Sequence, residues 1–184
     1  MIIYIHGFGS SAVGGKASIL RERYKTNILI PSLSNIPDLA VDTLEQLIIF
    51  LKQKGEKINL IGSSLGGFYA IYLANKYNLK AVLINPAIYP YKTLNKIGKA
   101  TNYYDLSTFE CNKNHLEQLK KFEIKDDIKN QENFFVLLKK GDEVLDYKEV
   151  LEKMPKAKAI VKEGGDHSFT DFEMYLKEVE NFFK

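Results

Sequence analysis

The amino-acid sequence predicts an α/β fold with a doubly wound, mostly parallel β-sheet. Short apolar runs rich in β-branched residues alternate with segments of helical apolar spacing through the first half of the chain. The motif G-x-S-x-G, at residues 62–66, lies between one such run and a helical segment. The 184 residues suffice for one domain with a sizeable core. The strand, turn and helix around this motif form the centre of the predicted fold.

Composition and charge argue against several classes of protein. The contents of 45% hydrophobic and 27% charged residues are ordinary for a soluble globular protein. No apolar run approaches the roughly 20 residues that a membrane helix needs. The net charge of +3 is small and evenly spread, which argues against a nucleic-acid partner. The chain has one cysteine, Cys111, and opens with the strand-like MIIYIHG, so we expect a cytoplasmic protein without a leader or membrane segment.

The first half of the chain predicts strands separated by helices. The strands are expected at residues 2–5, 27–30, 58–61 and 81–84, and the helices at 16–24, 38–54 and 65–77. Pro31 ends the second strand, and Gly55 ends the second helix. Because strands and helices alternate, this order predicts a parallel sheet with right-handed crossover connections.

The second half resumes the alternation after a less regular segment. Further strands are expected at 134–138 and 157–161, and helices at 147–154 and 170–183. Residues 87–133 show helical spacing only near 115–122 and are longer than a crossover helix requires. They predict a small cap inserted between two sheet strands, although a crossover helix with an irregular surface loop fits equally well. We therefore expect residues 1–184 to form one domain with a cap insertion.

Ser64 is the candidate nucleophile. Between a strand and a helix, G-x-S-x-G is the nucleophile elbow of α/β hydrolases, in which a sharp turn holds the serine hydroxyl clear of the sheet. Strand and helix crowd together at this turn, and Gly62 and Gly66 fit there because they have no Cβ. The alternative is an ordinary turn of glycine and serine.

His167 is the candidate base, because a serine hydroxyl is a weak nucleophile without a base in hydrogen-bond reach. It is one of three histidines and lies in the predicted loop between the last strand and the last helix. That loop returns to the carboxyl ends of the strands, beside the elbow. His115 is expected at the surface, and His6 is expected to hold its own loop through a side-chain hydrogen bond.

Asp142 is the first candidate for the acid that orients the base. It follows the strand predicted at 134–138 and gives the chain order Ser, Asp, His of the α/β hydrolases. Glu143 and Asp146 are close enough in sequence to compete, although Asp146 is also well placed to cap the next helix. Asp166, next to the base, is expected to order its own turn.

An oxyanion hole requires two N–H donors, and the sequence indicates the backbone groups of Phe8 and Leu65. The tripeptide His6-Gly7-Phe8 directly follows the first predicted strand and resembles the H-G loops of lipases and esterases. The sequence has no H-E-x-x-H motif and no cluster of cysteines or acids with histidine. We therefore predict no metal site and no cofactor.

Several motifs together resemble one family. They are IHGF at 5–8 with SS at 10–11, KAS at 16–18, GSSLGG at 62–67, NPA at 85–87, GDEVLDY at 141–147 and EGGDHSF at 163–169. In these motifs, which span nearly the whole chain, the sequence is similar to the YqiA/YcfP-like small bacterial esterases. The resemblance implies a compact α/β-hydrolase fold and carboxylesterase activity on short acyl esters or acyl-CoA thioesters. It also implies Ser64, Asp142 and His167 as the catalytic triad. The match is loosest over 97–127, where an acyl pocket would be capped.

These observations predict a serine hydrolase that acts on a small-molecule acyl ester or thioester through an acyl-enzyme on Ser64. Two alternatives stay open: another acyl chemistry on the same residues, such as peptide hydrolysis or acyl transfer, and a non-catalytic binding module with this fold. The intact set of serine, histidine and acid argues against the binding module. The sequence predicts neither the physiological substrate nor the oligomeric state.

Overall fold

A computed structural model describes residues 1–94 and 98–184 and shows a parallel β-sheet between two layers of helices. The strands are β1 (Ile2–Ile5), β2 (Ile28–Leu29), β3 (Asn59–Ser63), β4 (Lys80–Ile84), β5 (Lys99–Thr101), β6 (Thr108–Glu110), β7 (Phe134–Lys139) and β8 (Lys158–Lys162). The helices are α1 (Gly15–Tyr24), α2 (Pro37–Gln53), α3 (Leu65–Tyr77), α4 (Pro90–Thr93), α5 (Lys113–Lys121), α6 (Tyr147–Lys153) and α7 (Leu176–Phe183). In the described part of the chain no helix is long and apolar enough to cross a membrane.

The main sheet has six strands in the order β2-β1-β3-β4-β7-β8, and all neighbouring strands are parallel. Strand β7 shows how the core is divided between its two faces. Phe134, Val136 and Leu138 pack on one face, while Phe135 and Leu137 pack on the other. Side chains of successive strand residues point to opposite faces, so an apolar run of this kind is buried on both sides.

Helices cover both faces of the sheet. Buried residues of α2, α3 and α6 belong to the core cluster on one face, and those of α1 and α7 belong to the cluster on the other. The predicted doubly wound parallel sheet is therefore confirmed. It places the loops that follow β1, β3, β7 and β8 at the same edge, because the carboxyl ends of parallel strands coincide.

Two elements differ from their predicted bounds for local reasons. The strand expected at 27–30 is shorter, because a 3₁₀ turn at Lys25–Asn27 takes its first residue and only Ile28–Leu29 pairs with β1. The helix expected at 170–183 begins as a 3₁₀ turn at Phe172–Tyr175 and becomes α-helical at Leu176. Phe172 and Tyr175 are both buried, and a spacing of three residues keeps both on the core side of a 3₁₀ turn.

The irregular segment contains an antiparallel pair, β5 and β6, that the sequence did not predict. Each strand has three residues, and only the middle one, Ala100 in β5 and Phe109 in β6, is half-buried. Neither strand therefore contains an apolar run that would predict it. The pair rests on the loop after β1: the Phe8 and Phe109 rings meet edge to face with centroids 5.2 Å apart. The predicted segment 87–133 also includes residues 95–97, which lie outside the described residues.

Gly66→Ala is expected to destabilise the fold, because a Cβ at this position would overlap the carbonyl oxygen of Ile5. Relief requires α3 to move away from β1, and overpacking of this kind costs about 1–3 kcal/mol. Equilibrium urea unfolding measures the change. Gly15→Ala is the matched control, since no atom lies within 4 Å of its added Cβ. Equal stability of Gly66→Ala and the wild type would contradict the close packing described for the elbow.

Candidate active site

Ser64 lies in the sharp turn between β3 and α3, with φ 55° and ψ −121°. A residue other than glycine seldom adopts a positive φ, and such a conformation persists only when the surroundings enforce it. Backbone hydrogen bonds to neighbouring segments contribute to this here. The Ser64 N–H donates to the carbonyl of Ile84 at 3.0 Å, and its carbonyl accepts from Gly67 at 2.9 Å and from Ala87 at 3.1 Å.

The two glycines of the motif allow strand and helix to meet at this turn. A Cβ on Gly62 would overlap the carbonyl oxygen of Gly66, and a Cβ on Gly66 would overlap that of Ile5. Gly7, after β1, lies against the serine itself, since an added Cβ there would be 3.2 Å from the Cβ of Ser64. The first loop therefore packs directly on the elbow.

The structure brings Ser64, His167 and Asp142 together in a continuous chain of hydrogen bonds. The Ser64 hydroxyl lies 2.9 Å from Nε2 of His167. On the other side of the ring, Nδ1 lies 2.8 Å from Oδ2 and 3.0 Å from Oδ1 of Asp142. An ionised carboxylate can only accept, so Nδ1 is the ring nitrogen that donates to Asp142; in a neutral imidazole Nε2 can then accept from the hydroxyl. The side chain of Asp142 is 3% exposed and that of His167 21%.

The surroundings of Asp142 keep its carboxyl ionised. Oδ1 accepts hydrogen bonds from the backbone N–H groups of Val144 at 2.8 Å and Leu145 at 2.9 Å. Burial acts to raise the pKa of Asp142, but the hydrogen bond from His167 and these two backbone bonds outweigh it and lower the pKa below its ordinary value. A negative charge therefore faces the imidazole.

The structure places the competing acids elsewhere. Glu143 accepts a hydrogen bond from the backbone N–H of His167 at 3.1 Å. It makes no hydrogen bond to the imidazole ring. Asp146 caps α6, as expected, by accepting from the N–H of Lys148 at 2.9 Å. The carbonyl of Asp166 accepts from the N–H of Phe169 at 3.2 Å in the turn that carries His167.

Asn85, just after β4, holds the histidine loop, and sequence reasoning gave it no role. Its Nδ2 donates to the carbonyls of Asp166 at 3.1 Å and His167 at 3.4 Å, while its Oδ1 accepts from the N–H of Lys139 at 3.0 Å. The buried Lys139 side chain in turn bonds to Asp171 at 2.6 Å. The N-P-A motif is the sequence signal that could have indicated this role. Asparagine tolerates a positive φ, and Asn85 adopts a φ of 39°.

A cavity of about 420 Å³ opens beside Ser64. Its apolar lining comes from Tyr4, Phe8, Ala17, Leu65, Ala87, Pro90, Leu94, Val144 and Leu145. Its polar lining includes Ser10, Ser11, Lys16, Tyr103, His167 and Ser168. A cavity of this size, mostly apolar with a few polar groups, is typical of a small-molecule site.

The other two histidines make local hydrogen bonds. Nε2 of the buried His6 accepts from the N–H of Leu33 at 3.1 Å, and Nδ1 donates to the carbonyl of Gly7 at 3.0 Å, as expected for a residue that holds its loop. Burial lowers the pKa of His6. His115 is half-buried rather than a free surface residue, because it completes a capping box with Asn112 at the start of α5.

The described potential metal ligands are dispersed, and the one cysteine is buried. Within residues 1–94 and 98–184, no group of three or more histidine, cysteine, aspartate or glutamate side chains is placed to hold a metal ion. Cys111 is buried, and burial raises the pKa of its thiol, which disfavours the reactive thiolate.

The sheet order and the strand–elbow–helix corner define this chain as an α/β hydrolase by fold, and comparison with solved structures agrees. A putative hydrolase from Agrobacterium vitis is 17% identical with a TM-score of 0.75, over 100% of this chain and 87% of that chain. Alpha/beta hydrolase domain-containing protein 10 from mouse is 17% identical with a TM-score of 0.72, over 100% of this chain and 90% of that chain. At such identities the likeness shows the fold alone.

The chain belongs to the uncharacterised protein family UPF0227, whose profile matches residues 1–184. One relative, the UPF0227 protein YcfP from Escherichia coli, is 26% identical over 188 residues, which cover 99% of this chain and 98% of that protein. The predicted resemblance to YcfP-like proteins is therefore confirmed over the whole chain.

His6→Gln is expected to flatten the pH dependence of stability in mild acid. Because the pKa of His6 in the folded protein lies below its ordinary value of 6.5, the unfolded chain takes up a proton here first as the pH falls. The stability contributed by neutral His6 is complete above pH 6.5 and declines as the pH falls toward the folded pKa. Urea unfolding over this range compares the two slopes. Identical slopes for the wild type and the variant would contradict the assignment.

Proposed function

We propose that this protein is a serine hydrolase of carboxylic esters or thioesters and that Ser64 is its nucleophile. The observation that carries the proposal is the hydrogen-bonded chain from the Ser64 hydroxyl through His167 to Asp142, at the edge of a small-molecule cavity. The likeness to the solved structures shows the fold alone, so the proposal rests on the chemistry of these side chains.

The proposed reaction has two stages. Nε2 of His167 takes the proton of the Ser64 hydroxyl as the oxygen attacks the acyl carbon, and it then gives that proton to the departing alcohol or thiol. The acyl group stays on Ser64 as an ester. His167 next takes a proton from water as the water oxygen attacks the same carbon, and it returns this proton to the Ser64 oxygen as the carboxylic acid departs. Asp142 holds the ring and stabilises the imidazolium formed in each stage.

The N–H groups of Phe8 and Leu65 are the proposed oxyanion donors. Both residues line the cavity beside Ser64. Leu65 is the first residue of α3, where an amide has no partner within the helix, and the positive end of the helix dipole favours a developing negative charge. Phe8 is held in place by Gly7, which packs on Ser64, and by the ring of Phe109.

Residues 87–133 are proposed to act as a cap on a single hydrolase domain. Pro90, Leu94 and Tyr103 from this segment line the cavity. The N–H of Tyr103 donates to the carbonyl of Gly9 at 2.8 Å, so the β5–β6 pair is tied to the loop that supplies the first oxyanion donor. A cap in this position would select short acyl groups by limiting the length of the apolar side of the cavity.

Ser64→Ala is expected to lower kcat for para-nitrophenyl butyrate by about 10³-fold or more, because the acyl-enzyme can no longer form. The release of para-nitrophenol under steady-state conditions measures the rate. If Ser64→Ala kept more than a few per cent of the wild-type activity, the proposed nucleophile would be wrong.

Two further variants in the same assay test whether Asp142 or Glu143 is the acid that orients His167. Asp142→Asn is expected to lower kcat by on the order of 10³- to 10⁴-fold, since the amide favours the wrong tautomer of the histidine. Glu143→Gln is the matched control, because glutamine can still accept the hydrogen bond from the His167 N–H and should leave the rate near that of the wild type. A larger loss in Glu143→Gln than in Asp142→Asn would reverse the assignment.

A further inference from the structure

Lys16 lines the cavity at Ser64 and has no role in the proposed reaction. Among the described residues that line this cavity, it is the only lysine or arginine, and no aspartate or glutamate lines it. The lysine comes from the first turn of α1, and its ammonium donates a hydrogen bond to the backbone carbonyl of Ser168. A single cation in a small, mostly apolar cavity favours an anionic ligand.

In the described part of the chain no carboxylate accepts a hydrogen bond from the Lys16 ammonium, although Asp166 attracts it. The hydrogen bond of the ammonium is to a neutral carbonyl, and the acid that attracts it, Asp166, does not line the cavity. Burial lowers the pKa of Lys16, and the attraction of Asp166 only partly opposes this effect. Lysine has three donors, so the bond to Ser168 leaves others for oxygens of a ligand.

Lys16 and a large part of the apolar lining come from opposite layers of the fold. Lys16 belongs to the loop and helix that start the α1 layer, where its neighbour Ala17 joins the core cluster on that face. Ala87, Leu94 and Leu145 line the cavity from the layer on the other face of the sheet. Since Ser64 lies at the sheet edge between these layers, a ligand can place an apolar group on one side and an anionic group on the other.

The position of Lys16 beside the histidine loop indicates which part of an ester it would meet. In the proposed reaction His167 gives its proton to the departing oxygen, so the alcohol portion of the ester must lie toward His167. The carbonyl that Lys16 contacts belongs to the next residue, Ser168. The cation therefore lies on the side of the leaving group.

We propose that the substrate is an ester whose alcohol portion carries an anionic group, a carboxylate or a phosphate, and that Lys16 binds this group while the acyl chain contacts the apolar side. This inference rests on the proposed hydrolysis at Ser64. Lys16 is then a specificity-determining residue, and its interaction with the anion raises kcat/KM for anionic esters relative to neutral ones.

The test compares three butyrate esters of similar shape, those of meta-hydroxybenzamide, meta-hydroxybenzoate and meta-hydroxyphenyl phosphate, with chromatographic detection of the released phenol. The wild type is expected to favour one or both anionic esters over the neutral amide by roughly tenfold or more in kcat/KM, as for a hydrogen bond to a charged group. The carboxylate and phosphate arms show which anion is preferred. Lys16→Met is expected to lose this preference and Lys16→Arg to keep it.

A control variant and the wild-type rates separate the ways in which the inference can fail. Lys177→Met removes one exposed cation from α7 and should keep the preference. Equal kcat/KM for all three esters in the wild type overturns the anion site but leaves the hydrolase intact. An equal loss on all three esters in Lys16→Met also overturns it, because Lys16 would then only hold the His167 loop through Ser168. Absence of Ser64-dependent hydrolysis of every ester overturns the proposed function as well.

Discussion

The close approach of β1, β3 and α3 around Ser64 is the constraint on which the rest of the site depends. It exists because Gly62 and Gly66 place hydrogen where any other residue would place a Cβ, and the helix can then start directly above the carbonyl of Ile5. The positive φ of Ser64 costs on the order of 1–3 kcal/mol, which the surrounding backbone hydrogen bonds and packing must supply. This backbone conformation directs the Ser64 hydroxyl away from the sheet, toward the edge at which the other loops lie.

A parallel sheet brings those loops to one edge, but it does not by itself set distances of 2.8–2.9 Å between side chains. That precision comes from polar groups around the histidine loop. Asn85 connects the end of β4 to the carbonyl of His167, and the buried Lys139 bonds to Asp171 beyond it. Glu143 holds the His167 N–H, while Asp142 is turned toward the ring by two backbone N–H groups. The contacts of Asn85, Lys139 and Glu143 join segments that are far apart in the sequence, whereas the backbone bonds to Asp142 are local.

The parts of the fold with strong local patterns could be predicted from the sequence. Apolar runs such as β7 and the amphipathic α2 have the periodicity that burial requires, and the order of the elements then fixed the side of the sheet at which Ser64 and His167 meet. The β5–β6 pair was not predicted because its short strands bury almost no side-chain surface. The choice among Asp142, Glu143 and Asp146 also stayed open, since five residues of one loop hold all three acids and only the folded backbone determines which carboxylate faces the imidazole.

We propose above all that the elbow and its hydrogen-bonded histidine make Ser64 an activated nucleophile. A fluorophosphonate probe tests this directly, because it reacts with activated serines and leaves a stable adduct that intact-protein mass spectrometry detects. We expect one adduct per chain, mapped by peptide analysis to residues 62–66, and none on Ser64→Ala. A folded wild-type protein that acquires no adduct, or acquires it elsewhere in the chain, would contradict the claim.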